Sequence, residues 1–281
     1  QALPISITVE GANILTRSLI IFGQGAIRAH PWLLKEMQAA RDPRPGARKT
    51  FDKVMFAHVG HIISNMVRAW MLGVSRGHAT RAPVRGPTAY YFRQITRMSA
   101  AFSFTSDLVL LALGGKFKFR ETLSGRLADA LSHLYMGTAV LKRFEDDGRP
   151  EDDLPFVRWA MDDSLYAIQD SLKGVLDNFP IPGAGRLIKW VIFPLGQPYT
   201  RPGDRIGKEI ARILQTENES RDRLVAGVYL SDLDDACGRV HTAFHLALTA
   251  TNAENAIRNA LNEPVTYENY EKLVQKDVES S

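Results

Sequence analysis

A single carboxylate stands where an extended segment is expected to turn into a helix. Ile5 to Val9 alternates apolar with small polar residues behind Pro4, and Glu10 and Gly11 form a hinge. From Asn13 onward Ile14, Leu15, Leu19, Ile20, Ile21 and Phe22 predict one broad apolar helical face, running to about Ala40 with a kink or break at Pro31. An acid beside a glycine at such a hinge is a candidate general base, because Gly11 has no side chain to keep a ligand away. The plainer account is that Glu10 complements the positive end of the helix dipole, where acids are common.

Two other groups have residue types that could do chemistry. His58 and His61 lie three apart on a predicted helix, which is metal-ligand spacing, but no Cys, Asp or Glu stands near them in sequence to complete a set of three. Packed or partner-bonded histidines are therefore expected, and no metal. Arg186 and Lys189 flank Trp190 and Phe193 within a Pro- and Gly-rich stretch, Phe179 to Gly203, the mixture that suits a lipid interface. A buried crossing loop that packs its own aromatics is the equal alternative. LGGKFKF, from Leu113, lacks the upstream Gly and the Ser or Thr that a phosphate loop requires, and reads as a turn.

VEGANILTR, Val9 to Arg17, resembles the YEGTxQIQR stretch of the acyl-CoA dehydrogenases, and the flanking ALPISIT and SLIIFGQGAIRAHP are similar to the bacterial long-chain branch of that family. The resemblance implies that Glu10 is the catalytic base, removing a proton next to the thioester while hydride leaves the neighbouring carbon for FAD. It implies a substrate-binding role for Gly11, with the backbone N–H of Glu10 polarising the thioester carbonyl as in an oxyanion hole. Val9, Ala12 and Ile14 depart from the pattern at the aromatic, the Thr and the Gln. Since Ala12 and Ile14 cannot donate hydrogen bonds to FAD, Asn13 or Thr16 is left to do so, and which of them does is open. RLADALSHLYMGTAVLKR resembles a helix of the extra C-terminal domain of the mitochondrial very-long-chain enzymes. The implied setting is fatty-acid β-oxidation, with long-chain acyl-CoA as substrate, electron-transfer flavoprotein or a similar acceptor, a homo-oligomer, and a cytoplasmic location with peripheral contact at the inner membrane.

The elements that would position these residues are helices throughout, and the expected class is all-α. Residues 1–40 read as the end of an acyl-CoA dehydrogenase C-terminal helical domain and residues 41–281 as an additional helical domain, joined at the linker-like RDPRPGARK. Because the family's flavin-holding domains are not visible in the chain, it reads as the C-terminal piece of a longer polypeptide, inactive by itself. Helices are predicted over 51–73, 90–113, 123–144, 156–179, 204–214, 221–230, 233–251 and 253–261, with an amphipathic tail from Tyr267 to Val278.

With 281 residues, 45% of them hydrophobic, the chain can bury a sizeable core, and its single Cys excludes an internal disulfide. No apolar run approaches the roughly eighteen residues of a spanning helix. Net charge is +4 but uneven: residues 41–120 hold fourteen Lys and Arg against three Asp and Glu, and residues 121–281 hold eighteen against twenty-six. The basic half suits an anionic partner such as lipid headgroups or coenzyme A phosphates, or is a solvated face with none; no motif supports nucleic acid.

Overall fold

A computed structural model describes residues 25–229, 235–261 and Thr266. The chain is all-α, with no strand among the described residues. The expected opening helix breaks at Pro31 into α1 (Gly25–Ala29) and α2 (Leu33–Arg41). Pro31 is one cause, since its ring removes a backbone donor. The other is His30, whose Nδ1 accepts the backbone N–H groups of Trp32 at 3.2 Å and Leu33 at 3.1 Å and so satisfies donors that α2 cannot.

The long helices follow: α3 (Ala47–Val74), α4 (Ala89–Leu113), α5 (Glu121–Asp146) and α6 (Leu154–Asp177). The LGGKFKF segment is a 3-10 helix, Gly114–Phe119, rather than a bare turn. α4 lies at the centre, packed against α3, α5 and α6. Its length and apolarity would suffice to cross a bilayer, yet it buries Gln94, Arg97 and Asp107 among the other helices, the placement of a core helix. The core is mainly aliphatic, with Phe104, Phe117 and Phe144 among it, and Met98, Leu127, Leu141, Met161, Leu165 and Leu172 are fully enclosed. α5 approaches both α4 and α6 closely at Gly137, where a Cβ would lie 3.1 Å from the Ile95 side chain and 3.4 Å from that of Met161.

The Pro-rich stretch contains a helix that the sequence pattern did not predict, α7 (Ala184–Ile192). It rests directly on the end of α6, for a Cβ on Gly185 would lie 2.0 Å from the Leu176 carbonyl oxygen. Beyond it come α8 (Asp204–Leu214), α9 (Glu219–Val225) and α10 (Ala236–Leu261). Where two helices were expected after residue 233, α10 is continuous, since no Gly or Pro interrupts it at Thr251 and Asn252.

The chain forms two compact units, residues 1–208 and 209–281. The Arg41–Lys49 connection lies within the first. In the second, Asn218 caps α9 by accepting the Arg221 N–H at 2.9 Å, and the Arg221 guanidinium sits 3.9 Å over the Phe244 ring.

Candidate functional site

Side chains far apart in sequence meet where the α1–α2 corner packs on α3 and α4. Spacings of three and four put His58, His61 and Asn65 on one face of α3, and Ser103 and Asp107 are one turn apart on α4. Asp107, 3% exposed, is held by His30 Nε2 at 2.8 Å on Oδ1 and by the Asn65 amide at 3.2 Å on Oδ2. The same amide reaches Ser103 Oγ at 2.9 Å and His61 Nε2 at 3.0 Å. His58 Nδ1 lies 2.7 Å from Glu36 Oε1, and the His30 ring is 4.8 Å from that of His58 and 5.8 Å from that of His61. His58 Nε2 is buried and meets no partner among the described residues.

His30, His58 and Asp107 offer ligand atoms within 4.8 Å of one another, so other helices bring the third group that the sequence around His58 lacks. His58 has the habit of a metal ligand, one nitrogen held by a carboxylate and the other with a free lone pair. His30 has the opposite habit. Its Nδ1 accepts two backbone N–H groups, so its proton sits on Nε2, the atom an ion would need, and that proton is donated to Asp107. As folded, the cluster is a hydrogen-bonded network that fixes the corner following the Glu10 segment in the chain, and His30 is not prepared to bind a metal.

A second buried network ties the loop after α7 to the core. Tyr199 Oη donates to Gln94 Oε1 at 2.7 Å, the Tyr199 backbone exchanges hydrogen bonds of 3.0 and 2.9 Å with Gln169, and Arg97, 2% exposed, lies against the Tyr199 ring. Burial pushes the Tyr199 hydroxyl well above its usual range, with Arg97 pulling the other way. Burial also raises Tyr91, and the neighbouring Asp162, which accepts the Tyr91 hydroxyl at 3.0 Å, adds to that rise.

Of the residues singled out by sequence, Glu10, Gly11, Ala12, Asn13 and Thr16 lie outside the described residues. On α7, Arg186 is exposed, Trp190 is 60% exposed, and Lys189 lies 3.6 Å from Asp177. Phe193, expected at a lipid interface with them, is instead in the core at 5% exposure together with Ile192. The helix turns Leu187 and Trp190 outward, and Phe193 follows its last turn back toward the bundle.

A family model described as acyl-CoA dehydrogenase, C-terminal, bacterial type, matches residues 27–281. The chain belongs to that family. The acyl-CoA dehydrogenase match takes in the whole His–Asp network and every helix from α2 to α10. No solved structure matches the chain. Acyl-CoA dehydrogenases are FAD-dependent oxidoreductases, and the described residues do not fit the flavin. Among the described residues, a cavity of about 610 Å³ is lined by Arg81, Arg85 and Arg93 and open to solvent, which suits an anion and not a ring that must receive hydride away from water.

Proposed function

We propose that the chain is the C-terminal part of an FAD-dependent dehydrogenase that converts long-chain acyl-CoA to trans-2-enoyl-CoA in fatty-acid β-oxidation, with Glu10 as base. The reading is carried by the VEGANILTR stretch standing just ahead of residues 27–281, which match the acyl-CoA dehydrogenase C-terminal family. Glu10 takes the proton from the carbon beside the thioester. An apolar, water-poor setting would raise its affinity for that proton. Gly11 lets the thioester approach, and Asn13 or Thr16 holds the flavin, which supplies hydride acceptance when bound. Residues 1–40 and 41–281 would be two helical domains, the second additional to the dehydrogenase body. Electron-transfer flavoprotein or a similar acceptor, self-association, and a cytoplasmic place at the inner membrane complete the reading.

Glu10→Gln in the flavin-carrying polypeptide keeps size and hydrogen bonding but cannot accept the proton. Flavin reduction by a long-chain acyl-CoA should slow by about a hundred- to ten-thousandfold with FAD retained. Bleaching at the unmodified rate would remove Glu10 from the chemistry.

A second reading, a non-catalytic helical module that docks to a membrane or subunit, is favoured by the outward face of α3. Phe56 is 71% exposed there, Ile63 52% and Trp70 41%. Within one parent enzyme both readings can hold.

A further inference from the structure

We propose that the loop between α3 and α4, with the first turn of α4, binds a phosphate group: a phosphomonoester or pyrophosphate, carried by a nucleotide coenzyme or a lipid headgroup. The loop is built rather than slack. At its start Gln94, 3% exposed, donates to the Arg76 carbonyl at 2.9 Å and Ala79 N–H donates to Ser75 Oγ at 3.1 Å. There the chain takes left-handed conformations at Arg76, φ 49°, and Gly77, φ 84°. At its end Thr88, fully buried, donates to Glu145 at 2.8 Å, and Glu145 is itself paired with Arg149.

This frame borders an open cavity of about 610 Å³, within the roughly 300–1,000 Å³ of small-molecule sites. His78, Arg81, Arg85 and Arg93 line it, and no Asp or Glu among the described residues does. The Arg93 Nε is buried without an acceptor among the described residues. Because the Thr88 hydroxyl is committed to Glu145, it does not cap α4, and the first turn of that 25-residue helix, at Ala89, faces the same space. Three guanidiniums gathered without a counter-ion repel one another. A phosphate removes that repulsion and accepts their paired N–H groups in bidentate fashion, with the helix dipole adding in the same sense. Three of the fourteen basic residues between 41 and 120 thus line one cavity. This site is independent of the dehydrogenase reading.

The test uses the full 281-residue chain. Inorganic pyrophosphate and coenzyme A are titrated by calorimetry, and co-sedimentation is measured with phosphatidylcholine vesicles with and without phosphatidic acid. Arg81 and Arg85 are exposed, so Arg81→Gln with Arg85→Gln leaves the fold intact, checked by circular dichroism. Affinity should fall about tenfold per arginine, and Arg93→Gln alone should cost about as much as either. Lys116→Gln with Lys118→Gln removes the same charge from the exposed 3-10 helix and should change binding less than about twofold. Pyrophosphate and coenzyme A binding without vesicle binding assigns a nucleotide ligand, and phosphatidic acid dependence alone assigns a headgroup. Absence of binding to every probe overturns the site. So does equal loss in the lysine pair, which would mean a diffuse basic face.

Discussion

α3 and α6 have similar length and similar apolar content, and they use them in opposite ways. α6 turns Val157, Met161, Leu165, Ile168, Leu172 and Val175 into the core, all at 5% exposure or less, and leaves Arg158 and Asp170 in water. α3 turns His58 and Asn65 inward and leaves Phe56, Val59, Ile63, Val67, Trp70 and Met71 more than 40% exposed. The first is an ordinary amphipathic helix. The second buries its polar groups because Glu36 holds His58 and because Ser103 and Asp107 hold Asn65, and it keeps an apolar stripe exposed on the other side. Periodicity finds a helix in both cases. Only the partners decide which face is the inside.

Substitutions should separate the two helices most clearly. Leu165→Ala in α6 removes enclosed methyl groups that the packed surroundings cannot replace, and should cost about 2–5 kcal/mol in chemical denaturation. Ile63→Ala in α3, at 52% exposure, should stay within about 0.5 kcal/mol in the same measurement. A cost at Ile63 comparable with that at Leu165 would mean that its face is already covered in the isolated chain, and the contrast would fail.

The next effect in size is at the polar interior of α3. Asp107→Ala strands the His30 Nε2–H in a buried place, at about 1–3 kcal/mol, while the Asn65 amide keeps Ser103 Oγ and His61 Nε2. Asp107→Asn keeps one acceptor oxygen and should recover part of that loss. Amide exchange at Trp32 and Leu33 should accelerate in Asp107→Ala, because the ring whose Nδ1 holds them loses its anchor. Unchanged exchange would mean that Pro31 alone shapes the corner.

Much of this architecture was legible from sequence where apolar spacing is regular. The ends of α3, α4, α5 and α6 fall within four residues of those predicted, and α8 matches at both ends. α7 was hidden because flanking prolines and glycines dominate the local signal, whereas its folding depends on Gly185 letting it rest on α6. Phe193 was misplaced for the same reason: beside Trp190 it looks like an interface ring, and only the turn after Ile192 sends it inward. The His–Asp network joins residues up to 77 apart, and nothing local in the sequence links His30 to Asp107. His58 and His61 were visible as a pair, without the groups that complete them.

The smallest effect concerns the polar position of α6 that most resembles the interior of α3. Asp162 is partly buried and accepts the Tyr91 hydroxyl, and burial raises its pKa above the usual carboxylate value, while that hydrogen bond and Arg158 oppose the rise. A carboxyl whose folded pKa is raised favours the fold while protonated. That contribution is present below the unfolded pKa and is lost as pH climbs through the folded one. Near neutrality the native protein therefore keeps a partly desolvated charge that Asp162→Asn removes, and the amide oxygen can still accept from Tyr91. The variant should be more stable by roughly a few tenths of a kcal/mol at pH 7, since solvent screens a half-exposed group. The difference should fade below about pH 4, where the native carboxyl is protonated too. Denaturation midpoints at the two pH values decide it. If Asp162→Asn is less stable at neutral pH, attraction to Arg158 outweighs burial, and α6 keeps its charge for the same reason that α4 keeps Asp107, because its neighbours hold it.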